Sequence, residues 1–233
     1  MILVPAAIPE RAPAFRRLVD PQIFPQARGG LTVEAIAAGA RAEEATGSEA
    51  VTVLLAGRAS WAGGTIGPGA GLYHPSGSRY GLSAGATPAV VLTVHALPGP
   101  AAGGDSVPLA RQREGGVLTR AGGFAGMGVH WLATAATVGS RQLALATSTF
   151  TPSGSHDLHC HPDADEFFLV LAGGGDHLTE GGRVRLAQGD LAYVPAGEWH
   201  GFRTRRDVTT VALYGYLGAA GLEQAGYRIK EAA

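Results

Sequence analysis

The sequence has one cysteine, Cys160, so no disulfide can form within the chain. A disulfide-stapled secreted scaffold is excluded, and a reducing, cytoplasmic setting is the expectation. Lysine is almost as scarce: Lys230 stands alone against 17 arginines, a compositional bias that carries no functional inference. Eighteen basic and 19 acidic residues leave a net charge of −1, so no excess of positive charge exists to neutralise phosphates. Nucleic acid and anionic membrane surfaces are therefore not expected partners. No apolar run approaches the roughly 20 residues of a membrane-spanning helix. The opening segment MILVPAAIPERAP lacks a basic residue before its apolar stretch and carries prolines within it, unlike a signal peptide. Charged residues make up only 16% and hydrophobic ones 45%, the reverse of a disordered composition.

What is abundant is turn-forming residues, with 36 glycines and 14 prolines among 233 residues. The segments LALATSTF (143–150), EFFLVLAG (166–173), DLAYVP (190–195) and VTTVALYG (208–215) are short runs rich in β-branched and aromatic residues. Bounded by Gly, Pro, Ser or Asp, they predict strands and tight turns. Helix is expected only over VEAIAAGARAEEA (33–45) and as a short cap in GLEQAGYRIKEAA (221–233). The architecture predicted is all-β.

An internal repeat divides the chain. AVTVLLAG (50–57) matches EFFLVLAG, with Gly57 matching Gly173, 116 residues on. GAGLYHPSGSRY (69–80) matches GDLAYVPAGEWH (189–200), with Pro75 matching Pro195, 120 residues on. VVLTVHAL (90–97) matches TTVALYGYL (209–217). The Gly- and Pro-rich stretch 97–116 reads as a linker, which puts a boundary near residue 105 and domains at 1–105 and 106–233.

Five of the eight histidines fall between positions 156 and 200. Gly154, His159, His161, Glu166 and Gly173 form one spaced motif, and Gly189, Pro195, Gly197 and His200 form another. Side chains two apart on a strand share a face, so His159 and His161 present two imidazoles together, with Glu166 on the returning strand and His200 entering the next one. Three imidazole nitrogens and one carboxylate at such turn-defined spacing predict a metal site.

The two motifs resemble those of the cupins, small antiparallel barrels of the jelly-roll or double-stranded β-helix type. The resemblance covers residues 143–216 and extends weakly through the repeat to 50–97, which implies a bicupin. One residue fewer separates Gly154 from His159 than the family pattern has, and Thr204 stands where the family often has Asn. By the repeat, His159, His161, Glu166 and His200 correspond to Glu43, Ala45, Ala50 and Tyr80, a set that cannot hold a metal. The expectation is thus a single divalent transition metal per chain, in the carboxyl-terminal barrel. Iron is the first choice, with Mn, Ni, Co, Cu or Zn also compatible with the donors.

Parity assigns the remaining positions. If Glu166 faces inward, so do Phe168 and Val170, while Phe167, Leu169 and Leu171 face outward and need cover from the other barrel or from a second copy, which motivates a homodimer. Phe202 shares the inward face of His200. Tyr193 and Trp199 are candidates for the pocket mouth. His156 is a reserve acid or base although its position reads as a solvated loop, Cys160 reads as a buried thiol on the other face, and His177, Arg183 and Arg185 read as a solvated hairpin.

These features predict a metal-dependent enzyme acting on a small, partly apolar molecule that chelates through oxygen. An Fe(II)-type dioxygenase is the leading reading, with Glu166 and His156 as the catalytic candidates. The alternatives are a redox-neutral isomerase, lyase or cyclase, and a non-catalytic binding barrel.

Overall fold

A computed structural model of the chain describes residues 1–9, 12–45, 47–109, 117–118 and 123–230. The amino-terminal half runs β1 (Ile2–Val4), β2 (Ala14–Val19), β3 (Gly29–Ile36), β4 (Arg41–Ala45), β5 (Ala50–Ala56), β6 (Ala59–Trp61), β7 (Gly64–Ile66), β8 (Gly71–His74), β9 (Arg79–Ala84) and β10 (Ala89–Ala96). There follow β11 (Val107–Pro108), β12 (Val117–Leu118), β13 (Phe124–Ala133), the single-turn helix α1 (Ala135–Val138) and the long strand β14 (Leu143–Cys160). The chain continues through β15 (Asp165–Ala172), β16 (Gly174–Thr179), β17 (Gly182–Ala187), β18 (Leu191–Val194), β19 (His200–Thr204) and β20 (Thr210–Leu217), then α2 (Leu222–Ala225) and β21 (Arg228–Ile229).

The predicted strands at 143–150, 166–173, 190–195 and 208–215 are β14, β15, β18 and β20. The expected helix over 33–45 is not there. Its residues form the end of β3 and β4, separated by a turn at Gly39. Val33 and Ala35 alternate into the core while Thr32 and Glu34 stay half-buried, so burial on one face of a sheet overrides the helical preference of Ala and Glu. The carboxyl-terminal cap shrinks to the one turn of α2, followed by β21 paired with His159 and Cys160. Residues 231–233 lie outside the described residues, as do 110–116 of the expected linker.

The carboxyl-terminal sheet has the order β1-β18-β15-β20-β14-β19-β16-β17, with β13 and β21 also on β14. The amino-terminal strands repeat it as β11-β8-β5-β10-β3-β2 and β4-β9-β6-β7. One difference stands out: β14 runs unbroken where its counterpart is cut into β3 and β4. Two short strands also cross between the halves, since β1 pairs with β18 and β11 pairs with β8.

Three apolar cores result. One fills each half, around Leu54 and Leu72 and around Phe150 and Phe168. The third lies between the halves, where Leu31, Val51 and Leu92 meet Phe167, Leu169 and Leu213. Phe167 and Leu169 are thus covered from within the chain, with Leu171 packed against the same core. The outward apolar face of β15 is therefore no ground for a homodimer.

Two buried carboxylates fasten this interface reciprocally. Glu49 accepts hydrogen bonds from the backbone N–H groups of Arg141 (3.0 Å) and Gln142 (3.1 Å) and from Ser140 Oγ (2.9 Å). Asp165, its repeat counterpart, accepts from the backbone N–H of Arg28 (2.6 Å), which immediately precedes β3 as Gln142 precedes β14. The Tyr193 hydroxyl donates to Asp165, while burial and the neighbouring Glu49 carboxylate push the pKa of the Tyr73 hydroxyl up to about 12. Replacing Glu49 by Ala leaves buried donors without an acceptor, which should cost about 3 kcal/mol or more, and Asp165→Asn should cost similarly. Urea denaturation measures both. A loss under about 1 kcal/mol would mean that apolar contact alone holds the halves together.

Candidate metal centre and its cavity

His159 near the end of β14 pairs in register with His200, the first residue of β19, so the sheet itself sets two imidazoles side by side. Their ring centroids are 4.2 Å apart. His161 lies just past β14, and Glu166 begins the return along β15. Gly197, at φ +80°, makes the turn that aims His200 back at the group. Gly173 ends β15 at φ +80°, with the Thr209 carbonyl 2.4 Å from where a Cβ would sit. One potential donor atom from each of His159, His161, Glu166 and His200 lies within 4.8 Å of every other, and all four residues are buried.

The hydrogen bonds show which nitrogens are available. Nδ1 of His159 donates to the Asp157 carbonyl (2.8 Å), Nδ1 of His161 to Gly226 (2.6 Å) and Nδ1 of His200 to Glu198 (2.9 Å). That fixes the tautomer in each ring and leaves Nε2 as a lone pair. All three Nε2 atoms are buried without a hydrogen-bond partner and face the Glu166 carboxylate. Oε2 of Glu166 is 3.1 Å from Nε2 of His161 and 3.4 Å from that of His200. Burying such lone pairs bare is costly, and a cation among them relieves that cost. Metal–donor bonds of about 2.0–2.2 Å suit a small contraction of this set. The donors fit a divalent metal.

Electrostatics agree with a charge-compensated cluster. Burial would raise the Glu166 carboxyl, but the His200 and His161 imidazoles reverse this and hold it well below its usual range. Burial would lower His200, yet Glu166 carries it above 6.5. His159 is held well below 6.5, first by burial and then by the neighbouring imidazoles of His156 and His200.

His159, Glu166 and His200 open into a cavity of about 230 Å³, with His161 behind them. Its wall includes Met127, Trp131, Phe150, Phe168, Phe202 and Tyr214, and among the described residues no Lys or Arg contributes to it. Phe168 and Phe202 are therefore where parity put them. Val170 is buried in the same barrel core without reaching the cavity. Tyr193 belongs to the core between the halves, because its hydroxyl turns to Asp165. Trp199 lies half-buried under Lys230, whose Nζ is 5.6 Å from its ring centroid, and not on the cavity wall. Cys160 is buried, and burial raises its pKa as expected of an inert thiol.

His156 corrects the loop reading. It stands on β14, stacks on His159 at 3.6 Å, and places Nε2 2.9 Å from the hydroxyl of Tyr227. Burial lowers its pKa to about 3 and pushes the Tyr227 hydroxyl up. His177 is a second correction. Arg183 and Arg185 are exposed and pair with Asp176, but alternation along β16 turns His177 inward, where it is 2% exposed and lines the cavity. Its pKa falls to about 4 through burial.

The parity argument, carried along β20, would also have found Tyr214 and Tyr216. Tyr227 had no signal in the sequence, since it reaches the site only through the fold of the carboxyl-terminal segment. In the other half, His74 stacks on Tyr80 at 3.5 Å and bonds to Ser106 and Thr52. The side chains at 43–46 lie outside the described ones.

Substituting His161 by Ala should weaken metal binding by about tenfold or more. Elemental analysis should return a single equivalent per chain for the unmodified protein and for His74→Ala. A second tightly bound equivalent would contradict the assignment.

Residues 146–215 match the family described as the cupin domain. An uncharacterized protein of Aquifex aeolicus is 34% identical over 53 residues, 23% of this chain and 44% of that protein, so the match spans less than half of the relative's length. Among solved structures, a mutant of Bacillus subtilis oxalate decarboxylase superposes with a TM-score of 0.68 at 15% identity, covering 92% of this chain and 74% of that one. A structure of the same enzyme reported for its Mn(II) centres gives 0.68, 15%, 92% and 74%. A tryptophan variant of it gives 0.65, 16%, 88% and 72%. At these identities the likeness is one of fold. The buried three-histidine, one-glutamate cluster lies wholly within the segment, residues 146–215, that matches the cupin domain.

Proposed function

We propose that the protein is a metal-dependent enzyme acting on a small, partly apolar molecule that binds through a pair of oxygens, and that its reaction consumes dioxygen. The observation that carries this reading is the set of three bare Nε2 atoms and one carboxylate beside a largely apolar cavity, lined by His159, Glu166 and His200, to which no Lys or Arg contributes among the described residues. Such a wall disfavours sugar phosphates and other polyanions and suits an enol, a β-diketone or a catechol. A divalent metal held by His159, His161, Glu166 and His200 would supply Lewis acidity towards the chelating oxygens and, as iron, electrons for dioxygen. Iron is our first assignment; the Mn(II) centres of the similar decarboxylase make manganese the next to test.

The chain's own residues do the rest. The Nδ1 contacts hold the three rings in place, and Phe150, Phe168 and Phe202 exclude water from the bound molecule. One observation favours the redox-neutral alternative. The pair His156 and Tyr227 faces the same cavity and can pass a proton between Tyr227 Oη and His156 Nε2.

Glu166→Gln separates the two readings, because it keeps an oxygen donor and makes the site one charge more positive. A more positive metal donates electrons less readily but polarises a chelated carbonyl more strongly. Under the oxygenase reading, metal-loaded Glu166→Gln loses nearly all turnover together with oxygen uptake, measured with an oxygen electrode on small enols and catechols. Appreciable turnover by the variant, or full-rate turnover of the unmodified protein under nitrogen, overturns that reading in favour of an isomerase or lyase.

A further inference from the structure

Besides the hydroxyls of Tyr214 and Tyr216, the cavity wall carries two polar side chains, His177 and Ser148, that neither the metal cluster nor the His156–Tyr227 pair uses. Both ring nitrogens of His177 are buried without a hydrogen-bond partner, and so is the hydroxyl of Ser148. Both residues line the cavity wall, and Ser148 is fully buried. His177 is not one of the four donors. Its ring lies parallel to that of His200 with centroids 6.1 Å apart, outside the cluster but beside it. The wall is otherwise mostly aromatic and aliphatic, and no described group bonds to the His177 ring nitrogens or to the Ser148 hydroxyl. Buried polar groups are normally satisfied, and unsatisfied ones at a cavity wall point to a ligand that completes them.

We infer that His177 and Ser148 provide polar contacts in the cavity for a neutral hydrogen-bonding group of the substrate, a hydroxyl or carbonyl, distinct from its chelating oxygens. This rests on the chelating reading above and specifies the substrate class further. A neutral imidazole offers one N–H and one lone pair, and a serine hydroxyl offers both roles, so the pair can serve a hydroxyl or a carbonyl. A second carboxylate or a phosphate is disfavoured, because among the described residues no Lys or Arg lines the cavity to compensate another buried anion near Glu166. The cavity volume of about 230 Å³ equals that of about eight waters, the scale of one substituted ring.

The test is anaerobic calorimetry on Mn(II)-loaded protein with three probes: catechol, methylcatechol and hydroxymethylcatechol. The unmodified protein should bind catechol and should prefer the hydroxymethyl compound over the methyl compound by about tenfold, the scale of one buried hydrogen bond. His177→Phe should abolish or invert that preference, Ser148→Ala should reduce it, and metal content should be unchanged in both. His177→Asn, which keeps a donor and an acceptor, should retain part of the preference and serves if the Phe variant fails to fold. Equal binding of the two substituted catechols by the unmodified protein overturns this assignment, as does a preference that survives in His177→Phe. Loss of metal from the His177 variants also overturns it, by making His177 a ligand. Catechol itself failing to bind overturns the chelating reading, and the assignment falls with it.

Discussion

The Asp165 carboxylate ties together the backbone on which Glu166 and His200 stand. It accepts from the Tyr193 hydroxyl, from the Ala196 backbone N–H (2.8 Å) and from the Arg28 backbone N–H. Through the first two bonds it joins the start of β15, where Glu166 stands, to the turn that delivers His200. Through the third it joins both to the other half of the chain. A buried acid with several donors is rigid, because each bond it lost would leave a charge without a partner in low dielectric. The relative position of two of the four donors therefore depends on a residue that touches no metal.

The repeat shows what each half retains. Glu49 and Asp165 each accept from the N–H group just before the other half's strand, β14 and β3, so the same clamp occurs twice across a shared apolar core. Among the described residues a cluster of this kind occurs once, in the carboxyl-terminal half, and Tyr80, stacked on His74, stands at the position of His200. The arrangement common to both halves is thus the interface. In the carboxyl-terminal half, β14 runs unbroken through His156 and His159, so the aromatic core and the donors belong to one continuous surface. The cavity combines a dry wall with a cluster whose lone pairs are already stripped of water, and electrostatic interactions with a bound molecule are stronger there than in solvent.

The carboxyl-terminal segment is part of the site although it carries no motif. The Gly226 carbonyl orients His161 through Nδ1, Leu222 and Tyr227 close the wall, and β21 pairs beside His159. The orientation of His161, cavity closure and the proton-bearing Tyr227 hydroxyl consequently depend on the same eight positions, 222–229. None of them belongs to the matched cupin segment.

The sequence by itself determined the strands of the carboxyl-terminal half, the repeat, the four residues that cluster as potential donors and the inward faces of β15 and β19. These follow from local rules: alternation along a strand, glycine where φ is positive, and donor residues held at fixed spacing by short turns. It misjudged 33–45, where burial against a sheet outweighed the helical preference of Ala and Glu, and it put Tyr193 and Trp199 at the cavity when one faces the other half and the other sits under Lys230. Only the tertiary structure decided that His177 faces inward, that His156 meets Tyr227 across 71 residues of sequence, and that the outer face of β15 is covered from within the chain. Those contacts join segments far apart in sequence, and the curl of the sheet that brings them together leaves no period in any one segment for a pattern to reveal.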